Sequence, residues 1–488
     1  MIRTMTPSAF SAWRRRMGFS REEAAAHLFL SPATVKAYEL AQRPITARVQ
    51  SQTEVIERTH GGHAIPSVPG SSIRIVGGGT SNDVRTHLAL SCKVYGTTAK
   101  ALAQMCARQG ETSELILTRM ADASSPYETN ADLAVLVEDL VKDPTARIVF
   151  WNPAICDFEG QVGDIPSGPK APRLQSRAGE QWMRLTPADK LVSRFRAQRK
   201  DLFLVAFKTT AGATPDEQYR AGLGLLKEAS ANLVLANDVV TRLNMVIVPE
   251  ESRYHETTDR EEALNGLVEM ARLRSTNTFT RSKVVSDVGV DWNDPVIPDN
   301  LRAVVDHCIA RGAYKPFRGK TVGHFAVRGP AGTIITSRRK SNFNDLAAVG
   351  MVKIEPVGAD AVIAYGGKPS VGGMSQRIIF DTYPDAHNIV HFHCPLRPHV
   401  RSVPIRDQRP YECGSHECGQ NTADGLVFVE KGIRAVMLGQ KDADILGQHG
   451  PNIVYGKDVS PEAVIDFIER HFDLDAKTGG AVAEAETV

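Results

Sequence analysis

The sequence lacks long apolar runs, and cysteine is scarce. No stretch approaches the roughly 18 consecutive apolar residues that a membrane-spanning helix requires. The first residues, MIRTMTPSAFSAWRRRMGF, contain no apolar core of a secretory signal. The seven cysteines are odd in number and scattered over 488 residues, which argues against a disulfide scaffold. We therefore expect a cytoplasmic protein without a membrane partner.

An excess of charge of one sign is also lacking. The 58 basic residues nearly balance the 56 acidic ones, so no field of the whole protein attracts nucleic acid or an acidic membrane. Any DNA contact must therefore be local. With 42% hydrophobic residues, a chain of this length has enough apolar mass for about three domains, at roughly 150 residues per domain. This composition excludes global disorder and fibrous architectures.

The order of patterns along the chain predicts an α/β protein with a small helical unit at its start. Short β-rich runs alternate with helix-like segments, and this alternation predicts parallel sheets covered by helices. Stretches rich in Gly, Pro, Ser or other polar residues separate the regions. The predicted divisions are a helical unit at 1–50, a linker at 51–72, a nucleotide-binding domain at 73–274, a second linker at 275–298, a metal-binding domain at 299–474 and a solvated tail at 475–488.

The first 50 residues have the pattern of three short helices. Phe10, Trp13 and Met17 fall at helical spacing. A capping box over 20–23 begins the second helix, and Ser31 followed by Pro32 begins the third. This pattern predicts a helix-turn-helix.

Residues 6–45 resemble the helix-turn-helix domain of phage-repressor-type regulators. In that family the third helix enters the major groove of DNA, and nearby cations contact phosphate. The resemblance implies that Ser31, Thr34 and Lys36 contact bases. It implies phosphate contacts for Arg43 and for the arginines at 14–16. The alternative is a small helical interaction or dimerisation module attached to an enzyme.

A glycine run, Ile75–Thr80, follows a predicted strand, where glycines let backbone N–H groups approach a phosphate or carboxylate. Later segments follow it in order: Asn152–Phe158, Gly168–Lys170, Val205–Lys208 and Leu235–Asp238. Together these motifs resemble phosphopantothenate:cysteine ligase, also called phosphopantothenoylcysteine synthetase, over residues 73–272.

This resemblance implies a Rossmann-like fold that binds CTP or ATP with Mg²⁺ and activates a carboxylate as an acyl-nucleotidyl anhydride. Lys170 would face the phosphates and serve in catalysis. The implied nucleotide-binding residues are Gly77, Gly78, Gly79, Thr80, Asp157, Lys170, Phe207 and Asn237. The family's Asn-x-Ser-Ser-Gly segment is replaced by Leu90–Gly96, so the acyl substrate is expected to differ. The alternative is a domain that only binds a ligand or a dimer partner.

Histidines are concentrated near the carboxyl end. His391 and His393 alternate on a predicted strand, so both imidazoles can point to one metal ion. His449 lies in a turn-like Gln-His-Gly sequence, and six of the fourteen histidines lie between residues 387 and 449. Three neutral imidazoles with an open position suit Zn²⁺ or another divalent metal that acts as a Lewis acid.

Residues 299–473 resemble the class II aldolase/adducin family. The motifs are Gly323–Arg328, Ile334–Ser337, Lys368–Ser370, Ile389–His393 and Gln448–Gly450. The resemblance implies that His391, His393 and His449 bind Zn²⁺, which polarises a substrate carbonyl. It also implies that Gly323, Ser337 and Ser370 hold the phosphate or carboxylate of a small-molecule substrate.

One position departs from this family. A glutamate is expected two residues after Pro369-Ser370, and Gly372 stands there instead. A proton-abstracting carboxylate must then come from elsewhere, and Glu412 and Glu417 are the candidates. Cys413 and Cys418 form, with His416, a possible separate metal site. The alternative is an adducin-like domain kept for assembly without catalysis.

These patterns together predict a metabolic enzyme. It would combine nucleotide-dependent carboxylate activation with zinc-dependent, aldolase-like chemistry on a small phosphorylated or carboxylated metabolite. The alternative is a DNA-binding transcriptional regulator whose degenerate enzyme domains sense a nucleotide or metabolite. The resemblances also imply a homo-oligomer.

Overall fold

A computed structural model gives the fold of the chain. The residues it describes are 5–17, 19–28, 30–50, 52–53, 67–358, 360–371, 373–440 and 447–480, and the side chains of residues 12, 15 and 16 are not described. The chain divides into two compact units, Met1–Leu204 and Val205–Val488. The predicted linker at 51–72 falls mostly outside the described residues.

Helices of the described parts are numbered in chain order. They are α1 (Pro7–Arg16), α2 (Arg21–Leu28), α3 (Pro32–Glu39), α4 (Thr97–Arg108), α5 (Asn130–Lys142), α6 (Val192–Gln198), α7 (Pro215–Ala229), α8 (Arg260–Arg274), α9 (Asp299–Ala310), α10 (Leu346–Val349), α11 (Met374–Thr382), α12 (His416–Gly425) and α13 (Pro461–His471). No described helix has both the length and the apolar character needed to cross a membrane.

Strands are numbered in the same way. They are β1 (Ile73–Gly79), β2 (Ser81–Arg85), β3 (Leu88–Ser91), β4 (Ser113–Leu117), β5 (Ile148–Ala154), β6 (Phe158–Val162), β7 (Met183–Pro187), β8 (Phe203–Thr210), β9 (Leu233–Asp238), β10 (Asn244–Ile247), β11 (Arg253–Thr257), β12 (Arg281–Ser286), β13 (His324–Arg328), β14 (Ile334–Ser337), β15 (Met351–Val357), β16 (Ala361–Tyr365), β17 (Asn388–His391), β18 (Ile405–Asp407), β19 (Val427–Glu430), β20 (Ile433–Gly439) and β21 (Gln448–Tyr455).

In the first unit, α1–α3 pack on their own core, which includes Phe10, Trp13, Val35 and Tyr38. The Ser31 hydroxyl accepts the N–H of Thr34 and caps α3, as its position before Pro32 predicts. Farther along the chain, β1 lies between β4 and β5 and pairs with both in parallel. The strand β1 is buried along its whole length, as expected for the centre of a parallel sheet.

In the second unit, β8 and β9 pair in parallel, and β10 and β11 extend them antiparallel. A further sheet runs in the order β12, β16, β15, β14, β13, β17, β21, β20, β18, with β19 added on β20. Its pairs are mostly antiparallel, and α9 and α13 pack together over the core beneath it. The prediction of an α/β fold with a small helical amino-terminal region is confirmed.

Two segments differ from their predicted roles. The predicted linker at 275–298 contains β12, which pairs in parallel with β16. β12 is the edge strand of this sheet, and no residue along Arg281–Ser286 is fully buried, so its polar composition resembles that of a linker. The predicted solvated tail is wrong for residues 477–480, which are buried in the second unit.

Candidate metal centre

Neighbouring strands bring three histidines together in the second unit. His391 is the last residue of β17, and His393 follows two residues later. His449 is the second residue of β21, the strand that pairs with β17. Their candidate ligand nitrogens all lie within 4.8 Å of one another, and all three side chains are buried. The predicted convergence of these three histidines is confirmed.

The hydrogen bonds of these imidazoles leave nitrogens available for a metal. Nδ1 of His391 donates to the carbonyl oxygen of Pro451 at 2.7 Å, which leaves its Nε2 with a lone pair 3.2 Å from Nε2 of His393. Nδ1 of His393 and both ring nitrogens of His449 are buried without a hydrogen-bond partner in the described parts of the chain. Buried nitrogens without partners cost free energy, and a divalent cation would satisfy one nitrogen of each ring that binds it. The residues therefore fit a metal ion.

The protonation state of the histidines also suits metal binding. Burial lowers the pKa of His391 to about 4. Burial and neighbouring charges lower the pKa values of His393 and His449 well below the usual range. All three rings are therefore neutral near pH 7, the form in which imidazole binds metals.

A small cavity lies beside His391 and His449, and a fourth histidine, His324, also lines it. No sequence pattern marked this residue. His324 lies directly opposite His391 in the β13–β17 pair, and their ring centroids are 4.8 Å apart. Its Nδ1 accepts a hydrogen bond from Nε2 of Gln376 at 3.1 Å. Burial lowers its pKa well below the usual range. Only pairing between distant strands brings His324 here, so no local pattern marks it.

Two thiols, rather than carboxylates, complete the cavity wall. Cys413 and Cys418 line the cavity with His324, His391 and His449. Cys418 lies in the first turn of α12, and its Sγ accepts a hydrogen bond from Nε2 of Gln408 at 3.4 Å. Hydrogen bonds from the Cys413 thiol, Gln408 and a backbone N–H outweigh burial and lower the pKa of the Cys418 thiol.

The structure does not bring the two predicted carboxylates to this cavity. The carboxylate of Glu412 accepts a hydrogen bond from Asn232, and that of Glu417 accepts from the backbone and hydroxyl of Thr278. Both carboxylates therefore hold their own loop against another segment of the chain. His416 contacts Thr280 through Nε2, so it does not join the two thiols in a separate metal site. Gly372 lies outside the described residues.

The predicted anion-holding residues lie together. The Ser370 hydroxyl donates to the carbonyl of Gly323 at 3.2 Å, and the Ser370 N–H donates to the carbonyl of Ser337 at 2.9 Å. Gly323 has a φ of 112°, and a Cβ there would lie 2.6 Å from the carbonyl oxygen of His391. Glycine is therefore required at the point where the loop meets the histidine strand.

The segment 477–480 covers the backbone at two of the three clustered histidines. The Thr478 N–H donates to the carbonyl of His393 at 3.1 Å, and its hydroxyl donates to the carbonyl of His449 at 2.7 Å. Nζ of Lys477 pairs with the carboxylate of Glu251 at 2.7 Å, and both side chains are 3% exposed. We call residues 477–480 the strap. Sequence analysis missed it because Ala-Lys-Thr-Gly-Gly has the composition of a tail.

The predicted nucleotide residues of the first unit do not form an open phosphate cradle. The Gly79 N–H donates to Val94 and the Thr80 N–H to Ala154, so neither is free for a phosphate. A Cβ at Gly77, Gly78 or Gly79 would clash with neighbouring residues, so these glycines serve close packing. Asp157 forms an exposed ion pair with Lys190 at 2.5 Å.

The remaining nucleotide residues lie in both units. Lys170 of the first unit is exposed. In the second unit, Phe207 lies on β8 and Asn237 on the adjacent β9, both half-buried. Phe207 pairs with Leu235 and Thr209 with Asn237, so Phe207 and Asn237 share one face of the sheet. A nucleotide site that includes them stays a prediction.

The predicted DNA-contacting residues lie at the exposed end of α3. Ser31 and Lys36 are exposed, Thr34 is half-exposed, and Arg43 is exposed beyond the helix. Ser31 is engaged as the helix cap.

Of the predicted phosphate contacts, Arg14 is unsuited to the role. It pairs with Glu39 at 2.6 Å and donates to the carbonyl of Phe19. Arg14 therefore stabilises the helical unit. The side chains of Arg15 and Arg16 lie outside the described residues.

Comparisons with known proteins gave similarities of structure alone. No model of a known protein family matches the chain. No curated protein matches it. Among solved structures, the DNA/pantothenate metabolism flavoprotein from Streptococcus pneumoniae is 19% identical, with 41% of this chain and 98% of that chain covered and a TM-score of 0.35.

Two further solved structures are similar at the same low level. The C-terminal domain of the coenzyme A biosynthesis bifunctional protein CoaBC is 14% identical, with 42% of this chain and 94% of that chain covered and a TM-score of 0.31. L-fuculose 1-phosphate aldolase is 16% identical, with 35% and 82% covered and a TM-score of 0.26. At these values the similarities carry no argument about function.

Proposed function

We propose that the second unit is a metal-dependent enzyme that acts on a small carbonyl compound carrying an anionic group. The observation that carries the proposal is the His449 imidazole, which is buried with both nitrogens unsatisfied beside two other neutral imidazoles. His391 would bind the metal through Nε2, and His393 and His449 would supply the second and third ligands. Zn²⁺ held there would act as a Lewis acid on a substrate oxygen.

The chain's own residues supply the other requirements of such a reaction. Gly323, Ser337 and Ser370, which lie together, are proposed to lie next to the substrate's phosphate or carboxylate. Gln376 holds Nδ1 of His324, so the neutral ring carries its proton on Nε2 and can donate a hydrogen bond to a substrate oxygen. Cys418 lines the cavity beside the histidines and is the proposed proton acceptor in place of a carboxylate.

Metal content tests this proposal. We expect about one zinc per chain in protein purified without chelator, and we expect its loss in His449→Ala, because three ligands are needed to hold the ion. His399→Ala is the matched control, since His399 is exposed in the same region and should leave the metal content unchanged. Elemental analysis of the three purified proteins measures the outcome. Equal zinc in His449→Ala and the parent protein would contradict the assignment.

The nucleotide-dependent ligase chemistry predicted from the sequence is not part of this proposal. The backbone N–H groups of Gly79 and Thr80, which should meet the phosphates, are engaged within the fold. Asp157 is engaged in a surface ion pair.

A second candidate function, DNA binding, is favoured by the exposed residues of α3. We propose that α3 contacts DNA through Thr34 and Lys36, with Arg43 on phosphate. Their exposure above a separate packed core supports the proposal. In a gel-shift assay with DNA flanking the gene, Lys36→Ala should weaken binding several-fold, because a phosphate or base contact is lost. Equal retardation of Lys36→Ala and the parent protein would refute it, and Lys431→Ala, a distant exposed lysine, serves as control.

A further inference from the structure

Exposed cations converge on three loops next to the anion-holding residues. Lys320 lies on the first loop, Arg339 and Lys340 on the second and Lys368 on the third, and all four are exposed. The backbones of these loops are joined. Thr321 N–H donates to the Ser341 carbonyl at 3.1 Å, and Arg339 N–H donates to the Lys368 carbonyl at 2.8 Å. We call these three loops, with their four cations, the basic loops.

The four cations of the basic loops have no ion-pair partner among the residues that the structure describes. Nearby Arg318, by contrast, pairs with Glu228 at 2.9 Å. Burial and the charges of Arg339, Lys320, Lys368 and Lys227 lower the pKa of Lys340. Like charges held close together destabilise the folded chain, and an anionic ligand would offset this repulsion.

The basic loops are continuous with the metal centre. The second loop starts directly after Ser337, whose hydroxyl accepts the N–H of Phe325, the residue next to His324. A ligand bound next to Gly323, Ser337 and Ser370 would therefore also lie next to the four cations of the basic loops.

We propose that the basic loops bind a polyphosphate group, a diphosphate or longer, carried by the substrate of the metal centre. A single phosphate carries about two negative charges, which two of these cations would match. Four cations match the charge of a diphosphate or longer group, and charge-assisted hydrogen bonds from arginine and lysine are the usual means of holding it. The inference rests on the proposed function in one respect only: the polyphosphate is taken to be part of the molecule on which the metal centre acts.

Calorimetry with inorganic pyrophosphate and inorganic phosphate tests the proposal on the full chain after removal of metal by chelator. We expect pyrophosphate to bind at least about tenfold more tightly than phosphate, because more charge-assisted contacts form. The double variant Arg339→Gln/Lys340→Gln should lose that difference. The matched control, Lys431→Gln/Lys457→Gln, removes two exposed lysines elsewhere in the same unit and should bind as the parent protein does.

Three outcomes would overturn the proposal. The first is equal affinity for phosphate and pyrophosphate. The second is pyrophosphate binding that is unchanged in the basic-loop variant. The third is tight binding of an oligonucleotide that depends on the same two residues, which would make the patch a nucleic-acid surface. His391→Ala separates this proposal from the metal assignment, because it should lose zinc and still bind pyrophosphate through the basic loops.

Discussion

At the residue scale, Asp238 organises the loops that follow β8 and β9. Its carboxylate accepts four backbone N–H groups and one hydroxyl, from Gly212, Ala213, Val240, Thr241 and Thr210. Burial alone would raise the pKa of this carboxyl, but the hydrogen bonds outweigh it and hold the pKa well below the usual range. The charged form of Asp238 is therefore part of the folded structure.

We predict that Asp238→Asn destabilises the protein near pH 7, because an amide nitrogen cannot accept these hydrogen bonds. The unfolded carboxyl takes up a proton near pH 4, whereas the folded one resists it. The stabilisation is therefore present above about pH 4 and is lost as the pH falls further. Urea unfolding at pH 7 and pH 3.5 measures the effect. The difference between parent and variant should shrink at the lower pH, and an equal difference at both would contradict the argument.

At the residue scale, the sequence identified the three clustered histidines but not the residues next to them. The alternation of His391 and His393 is visible in the sequence, because strand geometry places alternate residues on one side. His324 and Cys418 carry no such local signal. They reach the cavity through the β13–β17 pairing and the start of α12. Glu412 and Glu417 were predicted to reach the cavity and do not. The path of the chain through residues 411–419 decides which of its side chains line the cavity, and the sequence does not show that path.

At the scale of elements, the strap holds the backbone of His393 and His449, two of the three clustered histidines. Gly479 has a φ of 79°, and a Cβ there would lie 1.9 Å from the carbonyl oxygen of Glu251. Two conditions therefore require glycine, the left-handed backbone and the close approach of another chain segment.

We predict that Gly479→Ala lowers both the stability of the protein and its zinc content, because the strap must move away from His393 and His449. Gly312→Ala is the matched control, since Gly312 has a φ of 72° with open space around it. Both variants carry a backbone cost of roughly 1 kcal/mol, and Gly479→Ala adds about 1–3 kcal/mol for the steric conflict. Thermal unfolding and elemental analysis measure the two effects. Equal behaviour of the variants would show that the strap does not support the metal centre.

At the scale of the whole second unit, a buried ion pair joins the β8–β11 region to the sheet that carries the histidines. Arg274 ends α8, and its guanidinium lies 2.7 Å from the carboxylate of Glu250, with both side chains almost completely buried. The same guanidinium donates to the carbonyls of Gln408 and Arg409. The two regions are therefore expected to unfold together.

We predict that Arg274→Met destabilises the second unit by roughly 3–5 kcal/mol, because Glu250 is left buried without its charged partner. The double variant Arg274→Met/Glu250→Leu should recover a large part of this loss, since no unpaired charge remains. Urea unfolding followed by circular dichroism measures both free energies of unfolding. A double variant as unstable as the single one would indicate that the carbonyl contacts of Arg274, and not the ion pair, provide the stabilisation.

The sequence by itself determined the local features of this protein. Alternating apolar and helical segments define the α/β class, Ser31 with Pro32 begins a helix, and the spacing of His391 and His393 places two imidazoles on one side of a strand. Each of these depends on residues within a few positions of one another. The tertiary structure alone decided that His324, Cys418 and Thr478 meet the histidines, and that the basic loops adjoin them. Those contacts join segments tens of residues apart, and their positions follow from strand order and packing, which no local pattern records.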